Sequence, residues 1–415
     1  MKKWIIFIVV SFGYVLVYFH RFCAGVVAQD MMIDLSAGGT LIGLLGALYF
    51  YPYAVMQLPA GVLSDTIGAR KTITIFLIFA VAGSLIMGLS ANIGMALVGR
   101  ILVGIGVSMV FVPTMKILTK WFTEKEFAIL TGVFIALGSI GTLFATSPLA
   151  WLSTIVGWRG VFLIIGGATF LITILIWIIV RDAPNIAHSN VEKNAKSNED
   201  IHQIRQSINI IIRNPYFWTI SICFFALFGT YFTLSGLWGV PYLMDVYGLT
   251  KNKAGTIVSF FAIGMMIGNP LFSFLSEKVF KSRKKVMILI SSFNLLNIFV
   301  LWIRIDQLSL LVITLVFFSF GLFANSVASV GFTANKELFP VNIAGTSTGL
   351  LNLFPYLGAA IFQQLLGIIL ENSGKINGSF TVSGYKTGFL VLLILSLVGF
   401  IITFFIKETY GKQKV

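Results

Sequence analysis

Twelve apolar runs, each long enough to cross a lipid bilayer, divide this chain. A helix needs about 20 apolar residues to span the hydrocarbon core. Runs of that length fall at roughly 4–29, 40–63, 72–90, 94–119, 126–152, 158–180, 216–242, 254–276, 286–303, 308–333, 343–370 and 386–406. Inside a bilayer every backbone amide needs an internal partner, so spans are helices or closed barrels. The alternating pattern of a barrel strand is absent here. Charged residues make up 11% of the 415 residues, against about 25% in an ordinary soluble domain. A soluble multidomain enzyme is excluded, and the expected fold class is an all-α membrane protein with twelve transmembrane helices. The opening Met1-Lys2-Lys3 and the run behind it imitate a signal peptide. The run continues past Phe19 with no small-residue cleavage site, so it reads as a retained first span.

Lysine and arginine are unevenly shared between the two sides of such a chain. Of the 29, 21 fall on the side that carries both ends, 7 on the other, and Arg100 within a span. Basic loops stay in the cytoplasm, so both termini are expected there, in the inner (cytoplasmic) membrane of a bacterium. The net charge of +14 is therefore a topology signal and not a nucleic-acid footprint. Cys23 and Cys223 lie in apolar runs and read as small core residues. No His/Cys group has metal-ligand spacing, so neither a metal nor a cofactor is expected. Only three histidines and no acid in the middle of a span leave no catalytic cluster, and an embedded enzyme is disfavoured.

The chain repeats itself. Leu63-Ser64-Asp65 followed by Arg70-Lys71 returns as Leu275-Ser276-Glu277 followed by Arg283-Lys284. Phe122, Ala128 and Gly132 return as Phe339, Gly345 and Gly349. Gly157-Trp158-Arg159 and Phe162 return as Gly384-Tyr385-Lys386 and Phe389. The longest polar segment, 181–213, separates six spans from six. The expected organisation is one six-helix half over 1–180, a cytoplasmic linker over 181–213 with an amphipathic helix from Ile201 to Ile212, and a second half over 214–415. Parallel repeats with a binding site between them are a transporter architecture.

The loop after the second span reads Gly61-Val62-Leu63-Ser64-Asp65-Thr66-Ile67-Gly68-Ala69-Arg70-Lys71. Its small residues permit close helix approach, and its acid and bases can form a charge relay between neighbouring helices. In this loop the chain resembles the major facilitator superfamily, whose signature G-x-L-(small)-D-R-x-G-R-[RK] is matched at Gly61, Leu63, Asp65, Gly68 and Arg70. Thr66 and Ala69 depart from it, which implies a weaker lock. The resemblance extends to Arg100, which opens R-x-x-x-G-x-G with Gly104 and Gly106. In the family that arginine is associated with proton coupling. The fifth span lacks the G-P-x-x-G-G pattern of drug:proton antiporters.

Arg21 lies in Tyr18-Phe19-His20-Arg21-Phe22-Cys23, well inside the first span. The motif resembles the organophosphate and organic-anion branch of the superfamily, where an arginine after an aromatic pair binds phosphate or carboxylate. The planar guanidinium suits a bidentate oxyanion. The seventh span carries no second basic residue, so one carboxylate, or a zwitterion, fits better than a doubly clamped phosphate. His20 and Lys116 are added as candidate contacts. Polar side chains inside other spans complete the expected cavity: Tyr49, Tyr53 and Gln57; Tyr231 and Trp238; Asn325; and Asn352 and Tyr356, with Pro355 between them to open the helix. Gly61, Asp65, Gly68, Arg70, Arg100, Glu277 and Arg283 are the expected conformational residues.

The resemblance implies a secondary transporter that moves a small anionic or zwitterionic solute by alternating access. Such a protein functions as a monomer whose partners are the solute and the lipid bilayer. H+ or Na+ coupling, exchange and uniport all stay open. An exporter of amphipathic compounds and a transporter-like ligand sensor are the rival readings.

Overall fold

The computed structural model describes residues 2–184 and 206–411. Among them are twelve helices long and apolar enough to cross a membrane. In chain order the first six are α1 (Lys2–Asp34), α2 (Gly39–Thr66), α3 (Ala69–Gly88), α4 (Ile93–Trp121), α5 (Glu124–Phe144) and α6 (Ser147–Ile179). They are followed by α7 (Pro215–Tyr247), α8 (Lys251–Val279), α9 (Arg283–Ile303), α10 (Leu310–Leu338), α11 (Ile343–Asn372) and α12 (Val382–Thr403). Of the connecting segment, residues 206–212 are helical, while 185–205, with most of the linker and the start of its expected helix, lie outside the described residues. A two-stranded hairpin, β1 (Lys375–Ile376) and β2 (Ser379–Phe380), turns through Asn377 and Gly378 at positive φ between α11 and α12.

Every expected span has its helix, and the largest displacement is at the turn between the fifth and sixth. The sequence reading ran the fifth span to 152 and began the sixth at 158. In the structure α5 stops at Phe144 and α6 begins at Ser147 with a proline in its first turn. Proline is favoured there because its missing N–H would be unpaired anyway. Pro148 is thus a helix start, and Gly157, at φ 71°, is a kink inside α6.

An even number of spans puts the start of α1 and the end of α12 on one side, here called the terminal face. On the opposite face the first six helices and the last six are in backbone contact. A Cβ built on Gly367 of α11 would sit 2.3 Å from the Gly39 carbonyl oxygen, and one on Gly43 would sit 2.8 Å from that of Gln363. Likewise a Cβ on Gly25 of α1 would be 2.9 Å from the carbonyl oxygens of Gly236 and Leu237 in α7. Glycine is the side chain that allows this approach. Polar contacts seal the same rim. Gln29 donates to Asp245 at 2.6 Å, the Thr40 amide donates to Glu371 at 2.7 Å, and Lys251 pairs with Asp30.

The terminal face is different. Among the described residues, no hydrogen bond or ion pair between the two sets of helices lies nearer that face than Gln57–Asn352. Four glycines there, Gly61, Gly132, Gly345 and Gly349, have nothing within 4 Å of an added Cβ. The close helix approach expected at Gly61 is therefore absent from this conformation. The two sets of helices have parted where that contact would form.

A matched pair of caps ties down the terminal ends of α3 and α9. Asp182, just after α6, accepts the Arg70 amide at 2.7 Å. Glu408, just after α12, accepts the Arg283 amide at 2.9 Å, the Lys284 amide at 3.3 Å and the Ser282 hydroxyl. Gly68 makes the first turn possible. It sits at φ 93°, and a Cβ on it would be 2.9 Å from the Asp182 carboxylate. Burial pushes the Glu408 carboxyl up, but hydrogen bonds from Ser282 and the Tyr410, Arg283 and Lys284 amides outweigh it and hold it below its usual range. Glu408→Ala should cost about 1–2 kcal/mol, the usual value of a helix cap, read as a lower melting temperature in detergent. Because the folded-state value is depressed, the stabilisation is complete above the ordinary carboxyl range and disappears as pH falls through the folded value. The gap between wild type and variant should therefore close in acid. A gap independent of pH would show that the ionised carboxylate is not what stabilises.

Candidate functional site

Arg21 stands between the two sets of helices, roughly 20 Å along α1 from its Asp34 end at 1.5 Å per residue. It is 3% exposed. Its guanidinium carbon lies 4.7 Å from the Tyr18 ring centroid, 5.0 Å from Tyr53, 5.2 Å from Tyr356 and 5.6 Å from Phe232. Tyr18 belongs to α1 itself, Tyr53 to α2, Phe232 to α7 and Tyr356 to α11, so both sets of helices build the cage. Ring faces attract a cation through their quadrupole, but they do not neutralise it. No carboxylate pairs with Arg21 among the described residues, and its Nε has no hydrogen-bond partner. A buried, unneutralised guanidinium inside a membrane protein is costly, which makes Arg21 the candidate site.

The cage is closed on both sides. Toward the opposite face lie the glycine contacts and a π-helical segment of α7, Leu234–Trp238. Gln363 of α11 stabilises that segment by donating to the Phe232 carbonyl at 2.8 Å, and Trp238 donates back to the Gln363 carbonyl at 2.9 Å. Toward the terminal face the closure is thin. Tyr53 and Tyr356 meet with centroids 4.4 Å apart. One turn farther, Asn352 donates to Gln57 at 3.0 Å. Asn352 marks a break in α11, between the helical stretches Val341–Leu351 and Leu353–Asn372.

The other expected contacts are elsewhere. His20 is buried, with Nε2 3.0 Å from the Thr169 hydroxyl of α6, on the far side of α1 from the cage. Successive residues of a helix point about 100° apart, and Arg21 took the inward direction. Lys116 is an ion-pair partner of Asp65 and also donates to the Ser64 carbonyl at 2.7 Å. It reaches from α4 to the terminal end of α2. Tyr49 donates to the Val17 carbonyl at 3.3 Å. Tyr231 donates to the Met265 sulfur at 3.5 Å. Trp238 is spent on Gln363, and Asn325 sits at the break in α10. Of these, Tyr49 alone also reaches Arg21, through its hydroxyl.

Arg100 is fully buried in the first set of helices. It donates to the His20 carbonyl at 2.9 Å and the Leu45 carbonyl at 3.3 Å, and lies over the Tyr49 ring. It thereby ties α4 to α1 and α2 directly behind the cage. The relay expected between Asp65 and Arg70 is replaced by two separate contacts. Asp65 pairs with Lys116, while Arg70 lies over the Trp177 ring at 4.5 Å and donates to the Trp177 carbonyl. Each base faces the helix it packs against, α2 for Lys116 and α6 for Arg70. In the repeat, Arg283 pairs with Glu277 at 2.6 Å and Glu337 at 2.9 Å. Phe232, Asp182, Glu337 and Glu408 were not candidates from sequence. The repeat offset carries Arg21 to within a residue or two of Phe232, which is the one signal that pointed there.

The Major Facilitator Superfamily model matches residues 10–363 and 240–415 of this chain. A probable galactarate/D-glucarate transporter of Escherichia coli, GudP, is 26% identical, with 99% of this chain and 96% of that protein covered. The membrane sensor protein UhpC of Escherichia coli is 25% identical over 94% of this chain and 91% of its own length. Among solved structures, a bacterial homologue of the human lysosomal transporter Spinster superposes with a TM-score of 0.77 at 18% identity, covering 100% of this chain and 98% of that one. At that identity the likeness is one of fold.

Proposed function

As this chain belongs to the Major Facilitator Superfamily, we propose that it is a secondary transporter of a small organic anion, bound at Arg21 and carried by alternating access. The observation that carries the reading is the Arg21 cage. It holds one buried guanidinium without an acidic partner among the described residues, enclosed by rings from both sets of helices. A solute carboxylate provides the missing charge and two acceptors for the planar donor fork. The name of the relative GudP, an acid-sugar transporter, agrees with an anionic cargo. Residues 1–180 and 214–415 are the two rocking units, joined by 181–213, in a monomer of the bacterial cytoplasmic membrane. The terminal face is the cytoplasmic one, by the placement of its basic residues. The state described here is closed outside and thinly closed inside, one step short of release to the cytoplasm. Solute binding drives the cycle only through contacts that differ between its states. Asp65–Lys116 and the Glu277–Arg283–Glu337 group set the terminal-face loops for the alternate closure.

The test is flux. Full-length protein in proteoliposomes, preloaded with a carboxylate mixture, is assayed for counterflow of labelled monocarboxylates, sugar acids, amino acids, phosphate esters and tetraphenylphosphonium. Saturable exchange of a carboxylate, absent from empty liposomes, is expected. Movement of the lipophilic cation alone indicates the exporter. Binding without flux indicates a sensor, the function in the name of the relative UhpC.

A further inference from the structure

We propose that the cargo is an amphipathic carboxylate, with one planar anionic group for Arg21 and an aliphatic or aromatic body for the ring faces, and not a polyhydroxylated sugar acid. The inference rests on the anion reading above and narrows it. It comes from what surrounds the guanidinium. Beyond Tyr18, Tyr53, Phe232 and Tyr356, the next shell is again aromatic. Phe22 lies 5.9 Å and Phe50 5.3 Å, between centroids, from Phe232, and Phe50 lies 6.2 Å from Tyr356. Phe22 and Phe50 are buried.

The polar supply is correspondingly poor. A sugar acid brings four or so hydroxyls, each of which loses a water partner on entry. A buried hydroxyl without a replacement costs about 1–3 kcal/mol by protein mutational data. The cage's own hydroxyls, on Tyr18, Tyr53 and Tyr356, cluster at Arg21 and serve the anionic group, and the other polar groups nearby are already engaged. Tyr49 is bonded to Val17, Trp238 to Gln363, and Tyr231 to Met265. Gln57 donates to the Tyr53 carbonyl at 3.3 Å and accepts from Asn352. His20 faces Thr169. Lys116 is held at Asp65. An apolar body asks for none of these and gains by leaving water, at about 25 cal/mol per Å². Its carboxylate alone needs charged donors, and Arg21 supplies them.

The test compares monoanions of equal charge on the full-length protein. Dissociation constants are measured for phenylacetate, hexanoate, acetate and D-glucuronate, with wild type, Arg21→Gln and Phe232→Ala. Phenylacetate or hexanoate should bind at least ten-fold more tightly than D-glucuronate. Phe232→Ala should weaken the apolar-bodied anions several-fold more than it weakens acetate. Arg21→Gln should remove binding of all carboxylates. Equal or tighter binding of D-glucuronate, lost in Arg21→Gln, overturns this inference and leaves the anion reading standing. Carboxylate binding that survives Arg21→Gln, or no carboxylate binding at all, overturns both. Each variant is first checked for monodisperse elution. Arg21→Lys serves in place of Arg21→Gln if the latter does not fold, with weakened binding expected.

Discussion

A leucine at Gly367 will leave the opposite face unable to close. The Gly367 backbone lies so near Gly39 that even one added carbon meets the Gly39 carbonyl oxygen at 2.3 Å. The obstacle is backbone, which cannot rotate aside, so α2 and α11 must separate. Over-packing of this kind costs about 1–3 kcal/mol, which shifts the balance between closed and open rims roughly five- to 150-fold. The reporter is a cysteine at Ala37, a position 4% exposed in the closed rim. Cys23 and Cys223 are buried and give little background. With Gly367→Leu, labelling at position 37 by an impermeant maleimide should accelerate at least about five-fold while counterflow collapses. Unchanged labelling with intact counterflow would mean that the Gly39–Gly367 approach is not part of the cycle.

The second large effect lies at Arg21, and its signature is a split between affinity and stability. Charge-assisted hydrogen bonds are worth about 1.5–3 kcal/mol each. Losing a bidentate pair in Arg21→Gln should weaken anion binding by roughly two to four orders of magnitude, at about 1.4 kcal/mol per factor of ten. Arg21→Lys keeps a charge without the planar fork and should recover only part. The ligand-free variant should be no less stable than wild type. Arg21 has no acid to lose, and burying an unpaired charge is unfavourable. Arg100→Gln should do the reverse. It takes bonds from the His20 and Leu45 carbonyls and should lower the melting temperature. If Arg21→Gln melts well below wild type, Arg21 is a structural residue and the cage is not a binding site.

The spans were legible because bilayer thickness fixes a length that apolar runs must reach, and all twelve reached it. The α5–α6 turn was not. Pro148 lies inside the fifth apolar run and Gly157 in the short gap after it, and hydropathy does not say which of two breakers ends a helix. Arg21 stood out because charge inside a span is rare. Its cage was half legible. Tyr53 and Tyr356 were named, but Tyr231 and Trp238 were named in place of Phe232, since polar tips attract attention and a plain ring does not. Rotation about the helix axis decided these cases. Tyr231 and Phe232 are neighbours in sequence, yet one faces Met265 and the other Arg21. For charges at the helix ends, composition gave the partners no order. Lys116 and Arg70 both lie within reach of the Asp65 loop, and only packing assigns Lys116 to Asp65 and Arg70 to Trp177.

The four glycines with empty surroundings at the terminal face have a cost attached. Glycine in a helix interior is less favourable than alanine by roughly 0.5–1 kcal/mol. Gly61, Gly132, Gly345 and Gly349 all sit in helices with room for a side chain. Judged on this conformation alone, each is a defect that a thermostability screen would correct. In the proposed cycle the room is the clearance that α2, α5 and α11 need when the terminal face shuts. Selection for a higher melting temperature and selection for turnover would then pull these four positions in opposite directions. The most heat-resistant form of this protein would be one that had stopped working.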